Sequence, residues 1–325
     1  MVDEKSRKRL ISIVTPCFNE VDNIIPCYEA VKSLFENELP DYELEHIFCD
    51  NNSTDGTQDI LKDLADSNPE IKVIFNSRNF GALRNLFNGL RHTKGDAVIP
   101  MLSADLQDPP EVILEFIPLW EDGHEVVYGV RAERDENFLL TLMRKVFYQV
   151  VNRWSPFQIP VDVGEFQLID RVVVDELCQF EDFHPYLRGM IAYCGFRTIG
   201  VRYTWKRRVR GKSKSNFASL IDQGLNGIIS FSTVPTRLAL AAGFVISILS
   251  LLTAVVFLII NLIYFRELSP PGIPLLTVAL FFFSGIQLLF IGLMGEYLLA
   301  IHSQVRKRPM VIERETINIE TRASK

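Results

Sequence analysis

Short apolar runs alternating with amphipathic ones set the rhythm of the first half of the chain. Residues 10–15, 42–49, 71–75 and 97–102 are rich in Ile, Val, Leu and Phe and each predicts a buried strand. A helix is predicted from residues 21–23 onward. A second carries Ile60, Leu61 and Leu64 on one face, and a third runs from Asn79 to His92. Strands alternating with helices at this spacing predict βαβ units and a parallel sheet. Further strands are expected at 125–129, 166–169 and 198–203, with a largely helical stretch at 175–193. Two amphipathic helices, at about 137–154 and 217–232, have apolar faces suited to a membrane interface.

The pattern then changes. Residues 238–265 contain no charged side chain, and neither do residues 268–295. Each run exceeds the roughly 20 residues that cross a bilayer core, so a hairpin of two transmembrane helices is expected at about 238–263 and 274–296. Arg306, Lys307 and Arg308 follow the second run, which places both termini in the cytosol. The expected organisation is a cytosolic α/β domain (1–214), a juxtamembrane amphipathic helix (215–234), the two membrane helices (235–300) and a cytosolic tail (301–325).

Among 325 residues the formal net charge is −6, which argues against a nucleic-acid partner. Charge is uneven, however: between Arg197 and Lys214 lie eight Lys or Arg and no carboxylate, just before the apolar runs, which suits an anionic partner. Five scattered cysteines lack metal-ligand spacing and read as thiols of a reducing compartment.

Four polar loops fall at the carboxyl ends of the predicted strands, where parallel sheets bind ligands. They are Phe18-Asn19-Glu20, residues 50–57, Arg78-Asn79, and the acidic turn Ser103-Ala104-Asp105-Leu106-Gln107-Asp108 closed by Pro109-Pro110. Carboxylate and amide oxygens packed this closely suit Mg²⁺ or Mn²⁺ held jointly with substrate phosphates. No Gly-x-Gly-x-x-Gly turn follows the first strand, so a dinucleotide site is not supported.

Together Pro16-Cys17-Phe18-Asn19-Glu20, the 50–57 loop, Arg78-Asn79-Phe80-Gly81 and the acidic turn resemble family 2 glycosyltransferases of the GT-A fold. More narrowly, they resemble the polyprenyl-phosphate glycosyltransferases, over nearly the whole chain. The resemblance implies a nucleotide-sugar site formed by Pro16, Phe18, Glu20, Asp50, Arg78, Ser103 and Asp105. Phe18 alternatively packs in the core, Asp55 reads as a turn cap, and Asn79 alternatively serves only to cap its helix. The family metal motif begins with a carboxylate where this chain has Ser103, leaving Asp105 and Gln107 as metal ligands and Asp108 as a weaker candidate. Asp162 matches an acidic family position that orients the sugar or acts as a base. Arg131, Arg144, Arg202, Arg208, Lys212 and Lys214 form the cation pool for the acceptor phosphate, with Ser213 as a hydroxyl donor and Arg144 alternatively facing lipid headgroups. Arg131 and Arg202 match family positions near the donor and acceptor phosphates, and the resemblance implies Asp105, Asp162 and Arg131 as the catalytic residues. Residues 149–154 approach a Gln-x-x-Arg-Trp motif, but the spacing is one residue too long.

The resemblance thus implies an inverting transfer of a hexose, foremost glucose from UDP-glucose, to undecaprenyl phosphate or a similar polyprenyl phosphate. The enzyme would sit in a bacterial inner membrane, where a homo-oligomer is compatible with the resemblance. UDP-N-acetylglucosamine, a UDP-aminoarabinose-like sugar and GDP-mannose are the alternative donors. A non-catalytic nucleotide-sugar scaffold or flippase partner is the alternative of another class.

Overall fold

The computed structural model describes residues 7–131, 163–183, 185–206, 273–305 and 308–319, with isolated positions at 245, 249 and 252. The chain forms two compact units. The first comprises residues 1–152, 157–222 and 308–325, and the second residues 153–156 and 223–307.

In the first unit eight strands make one sheet. They are β1 (Arg9–Cys17), β2 (Tyr42–Asp50), β3 (Ile71–Asn76), β4 (Ala97–Ile99), β5 (Val126–Arg131), β6 (Val163–Asp170), β7 (Thr198–Tyr203) and β8 (Glu313–Ile317), in the order β7-β5-β6-β4-β1-β2-β3-β8. The pairs β1–β2, β1–β4, β2–β3 and β5–β7 are parallel. The expected mostly parallel sheet is therefore present. β6 runs antiparallel between β4 and β5, and β8 runs antiparallel along β3. The helices are α1 (Ile24–Glu38), α2 (Thr57–Ser67), α3 (Ala82–Arg91), α4 (Ile113–Glu121), α5 (Arg171–Gln179) and α6 (Leu187–Cys194), with a 3₁₀ turn at Pro110–Val112.

Successive strand residues point to opposite faces. Ile11, Ile13, Phe48, Val73 and Phe75 join one core with buried residues of α1, α2 and α4. Val14, Ile47, Cys49 and Ile74 form a second core on the other face. There α3 lies so close that a Cβ on Gly89 would sit 2.4 Å from Cys49 Sγ and 2.6 Å from Val14 Cγ1. Only a glycine fits at that crossing. Burial on both faces explains why these strands read as continuous apolar runs. Polar side chains interrupt them where they find partners. Glu45 is buried and accepts from Ser12, Lys72 and the Lys94 amide.

Several expected boundaries move. α3 begins at Ala82 rather than Asn79, because Asn79 Oδ1 accepts from Gly81 N at 2.9 Å and Gly81 takes φ +93°, a turn before the helix. The stretch 175–193 divides into two helices. α5 begins earlier, capped where Asp170 Oδ1 accepts from Val172 N at 2.9 Å. β6 starts three residues before Phe166. Part of the expected tail is not a free tail: residues 313–317 complete the sheet edge as β8.

The second unit contains α7 (Ile273–Val305), a helix of 33 residues. Among the described residues, no helix is long and apolar enough to cross a membrane. The expected interfacial helices at 137–154 and 217–232 lie outside the described residues, as does the first apolar run apart from its three isolated positions.

Candidate functional site

The parallel register sets Cys17 beside Asp50, so the loops after β1 and β2 leave the same sheet edge together. They are interlocked. Asn19, at φ +54°, donates its amide to Ser53 Oγ (2.8 Å), and its side-chain oxygen accepts from Thr54 N (2.7 Å). Glu20 N donates to Thr57 Oγ1 at 3.0 Å, and Glu20 Oε2 accepts from Asn23 Nδ2 at 2.6 Å. Asp55 accepts from the Thr57 amide and hydroxyl and from Val21 N, the turn-capping role expected of it. Burial pushes its pKa up, but the Thr57 bonds prevail and the net shift is downward.

Asp50 is fully buried. Its Oδ2 accepts from Ser53 N (3.0 Å) and Gln58 Nε2 (2.8 Å), while Oδ1 is buried with no hydrogen-bond partner among the described residues. The carboxylate organises the loop, and any direct contact with a ligand is left to Oδ1. Pro16 and Phe18 are half-buried beside it, and Phe18 is not part of either core cluster. Burial, followed by the charges of Asp50 and Glu20 among others, pushes the Cys17 thiol well up, so it is inert at neutral pH.

A network of asparagines, which sequence reasoning missed, joins the ends of β2 and β3 to the 79–81 turn. Asn51 Oδ1 accepts from Asn76 Nδ2 (3.1 Å) and Phe80 N (3.0 Å), and Asn51 Nδ2 donates to Asn79 Oδ1 (3.0 Å). Asn76 Nδ2 also donates to Asn85 Oδ1 (2.7 Å), and Asn85 Nδ2 to Cys49 O (2.6 Å). The clustering of Asn at the ends of predicted strands was the available signal. Arg78 is exposed, stacks 4.0 Å over the Phe80 ring and donates to Asn79 O.

The acidic turn follows β4, with Leu106 at φ +54°. Its two aspartates differ sharply. Asp108 is 2% exposed and engaged on both oxygens: Oδ2 accepts from Ser103 Oγ (3.0 Å), and Oδ1 from Tyr203 Oη and Arg131 Nη2, the latter at 3.3 Å. Arg131, at the end of β5, also donates Nε to Tyr203 Oη and lies 4.9 Å from the Trp205 ring centroid. Burial disfavours its charge, but Asp108 and Tyr203 prevail and its pKa is raised. Burial and the Asp108 charge also push the Tyr203 phenol up. Asp105 is only half-buried, and its Oδ1 accepts from Gln107 N at 3.3 Å. Lys206 N donates to Gln107 O at 2.9 Å, tying the turn to the segment leaving β7.

Ser103, Asp105 and Gln107 thus share one turn, and Arg131 reaches it through Asp108. Arg202 is exposed on β7, paired in register with Val130. Asp162, Arg144, Arg208, Lys212 and Ser213 lie outside the described residues. Among the described residues no cluster of three His, Cys, Asp or Glu side chains stands ready for a metal. The donor set fits a hard divalent cation nonetheless. Asp105 offers a carboxylate and Gln107 an amide oxygen, and such ions usually take only one or two protein carboxylates, completing their shell with phosphate and water.

Residues 12–178 match the family Glycosyl transferase family 2. The chain is 37% identical over 305 residues to the SfII prophage-derived bactoprenol glucosyl transferase of Shigella flexneri, covering 93% of this chain and 96% of that protein. It is 34% identical over 318 residues to the uncharacterized glycosyltransferase YkcC of Bacillus subtilis (strain 168), covering 98% and 97%. Among solved structures, the mannosyltransferase PcManGT from Pyrobaculum calidifontis in complex with GDP-Man and Mn²⁺ aligns with a TM-score of 0.45 at 20% identity, over 93% of this chain and 88% of that one. The mostly parallel sheet is that of a GT-A α/β domain, and the chain belongs to glycosyl transferase family 2.

Proposed function

We propose that the protein transfers glucose from UDP-glucose to a polyprenyl phosphate of the undecaprenyl type, with inversion at the anomeric carbon. The observation that carries this reading is full-length similarity to proteins named bactoprenol glucosyl transferase, at 37% identity. Pro16, Phe18, Glu20, Asp50 and Arg78, on the loops after β1 to β3, hold the nucleotide. Asp105 and Gln107 hold Mg²⁺ or Mn²⁺, which supplies positive charge to the donor diphosphate. Ser103 and Arg131 support that turn through Asp108. Arg202, Arg208, Lys212, Ser213 and Arg144 steer the acceptor phosphate, and Asp162 orients the sugar or takes a proton.

A phosphate-monoester oxygen of the lipid attacks the anomeric carbon. The bond from that carbon to the β-phosphate oxygen breaks, and UDP leaves with the electron pair. The acceptor is largely ionised at neutral pH, since its second pKa is about 6, so positioning carries more of the catalysis than a base does.

The membrane reading belongs to this proposal. The uncharged runs 238–265 and 268–295 supply the hairpin, with helices at about 238–263 and 274–296, and α7 covers most of the second. Leu276, Leu280, Phe283, Ile291, Met294, Leu298 and Ile301 are exposed apolar side chains at helical spacing along it, a surface suited to lipid. The chain leaves the sheet after β7 and rejoins it at β8, so any crossings in between are even in number. That puts both termini on the side of the catalytic domain, and Arg306, Lys307 and Arg308 after the second run favour the cytosolic side of a bacterial inner membrane. Self-association through the apolar segments is compatible with this arrangement.

The test is turnover by purified full-length protein with UDP-glucose, undecaprenyl phosphate and Mg²⁺ or Mn²⁺. A lipid-linked glucose and released UDP are expected. Absence of any lipid-linked sugar across a panel of UDP- and GDP-sugars overturns the proposal. Arg208→Ala and Lys212→Ala are expected to raise KM for the lipid more than for the donor.

A further inference from the structure

Strand β8 does more than cover a sheet edge. In its register on β3, Phe75 pairs with Glu315 and Asn76 with Glu313, so Arg314 is the extra residue of a bulge. Bulges re-aim side chains. Arg314 Nη2 donates to Gln58 Oε1 at 2.8 Å, and Gln58 Nε2 donates to Asp50 Oδ2 at 2.8 Å and to Ser53 O at 3.0 Å. Ser53 in turn receives the Asn19 amide on its hydroxyl. One path of hydrogen bonds therefore runs from the C-terminal strand, through α2, into both of the first two strand-end loops.

The chemistry of the three groups makes that path directional. A guanidinium can only donate, so it selects the amide orientation in which Gln58 turns its oxygen outward and its NH₂ toward Asp50 and Ser53. The flipped amide would set an oxygen against a carboxylate and a carbonyl, losing three hydrogen bonds. Neighbouring contacts hold the strand in register: Glu313 Oε1 accepts from Asn88 Nδ2 and lies 2.7 Å from His92 Nε2, and Lys62 pairs with Glu315 at 3.3 Å.

We propose that Arg314, acting through Gln58, is a positioning residue of the nucleotide-donor site: the returning strand fixes the amide orientation that holds Asp50 and the 50–54 loop ready for a uridine nucleotide. This rests on the donor reading above and assigns part of that site to a segment distant from it in the chain.

The experiment is UDP binding to the full-length protein in the presence of Mn²⁺, measured by calorimetry alongside thermal unfolding. Arg314→Glu replaces the donor by an acceptor and invites the flipped amide. It is expected to raise Kd for UDP about tenfold, the weight of one to two lost hydrogen bonds, while leaving KM for the lipid unchanged. Arg314→Lys keeps a donor and is expected to stay within about twofold of the wild type. Arg314 is exposed, so both variants should fold. Gln58→Glu supplies a second signature. Its ionised carboxylate repels Asp50, whereas its protonated form donates to it as glutamine does. Asp50 from β2 and Arg314 from β8 meet this side chain, and Cys17 at the end of β1 lies near both Asp50 and Glu20. UDP affinity of Gln58→Glu, relative to wild type, is therefore expected to be weak at pH 8 and to recover toward pH 5. Equal Kd for the Arg314→Glu and Arg314→Lys proteins overturns the inference, as does a Gln58→Glu loss that is the same at every pH. Wild-type protein that fails to bind UDP overturns the donor reading and this inference with it.

Discussion

The two halves of the candidate site are held together by different physics. The loops after β1, β2 and β3 are fastened by neutral amides and backbone groups: Asn51, Asn76, Asn79 and Asn85 on one side, Asn19, Ser53 and Gln58 around Asp50 on the other. The turn after β4 is fastened by charge, with Asp108 buried against Arg131 and Tyr203. Neutral networks keep their geometry as pH changes and lose it when one partner becomes an orphan. A buried ion pair is vulnerable to the loss of either charge. The difference suits the work proposed for each half: amide and backbone groups gathered around one buried carboxylate, Asp50, for a base and ribose, and a buried ion pair beside a diphosphate.

The largest expected effect separates the two aspartates of one turn. Asp105→Ala should lower turnover by about 10³-fold, the scale of a lost electrostatic contact to a leaving group, with an unchanged unfolding midpoint. Comparable turnover in that variant breaks the assignment of Asp105 to the diphosphate. Asp108→Ala should instead strike the fold, leaving Arg131 half-buried and unpaired, at a cost of about 3 kcal/mol in denaturant unfolding. If the variant unfolds at the wild-type midpoint, the charged half is not held as described.

On the neutral side, Asn51→Ala leaves the Phe80 N–H without its acceptor and removes one of the two acceptors of the Asn76 amide. A loss of about 2 kcal/mol is expected, together with faster hydrogen exchange at Phe80. The smallest effect near neutral pH concerns His46, buried 2.8 Å from Thr15 Oγ1. Burial lowers its pKa to about 3. The unfolded chain then binds the proton first, so this contribution is complete above the unfolded pKa of about 6.5 and is lost as pH falls toward 3, by at most about 1.4 kcal/mol per unit. His46→Gln should flatten that part of the stability profile. An unaltered profile would place the acid lability elsewhere.

How much of this was legible beforehand differs between the halves as well. The strand-end loops were found because apolar strand runs punctuated by Asn, Asp, Gly and Ser are local patterns, read within a few residues. The acidic turn was found for the same reason, but its division of labour was not. Ser103, Asp105, Gln107 and Asp108 are neighbours in sequence, and only burial against Arg131 and Tyr203, 23 and 95 residues from Asp108, separates the paired carboxylate from the more open one. No local pattern marks Gln58, whose partner Arg314 lies 256 positions away.

The sequence by itself determined the α/β rhythm, the edge of the sheet where the polar loops gather, the oxygen chemistry of the acidic turn and the presence of two long uncharged runs. These depend on periodicity and side-chain type over short spans. Only the tertiary structure decided that β6 inserts antiparallel between β4 and β5, that residues 313–317 return to close the sheet beside β3, and which polar groups satisfy one another. Strand pairing and burial bring together residues far apart in the chain, and no local pattern records a partner that has not yet been placed.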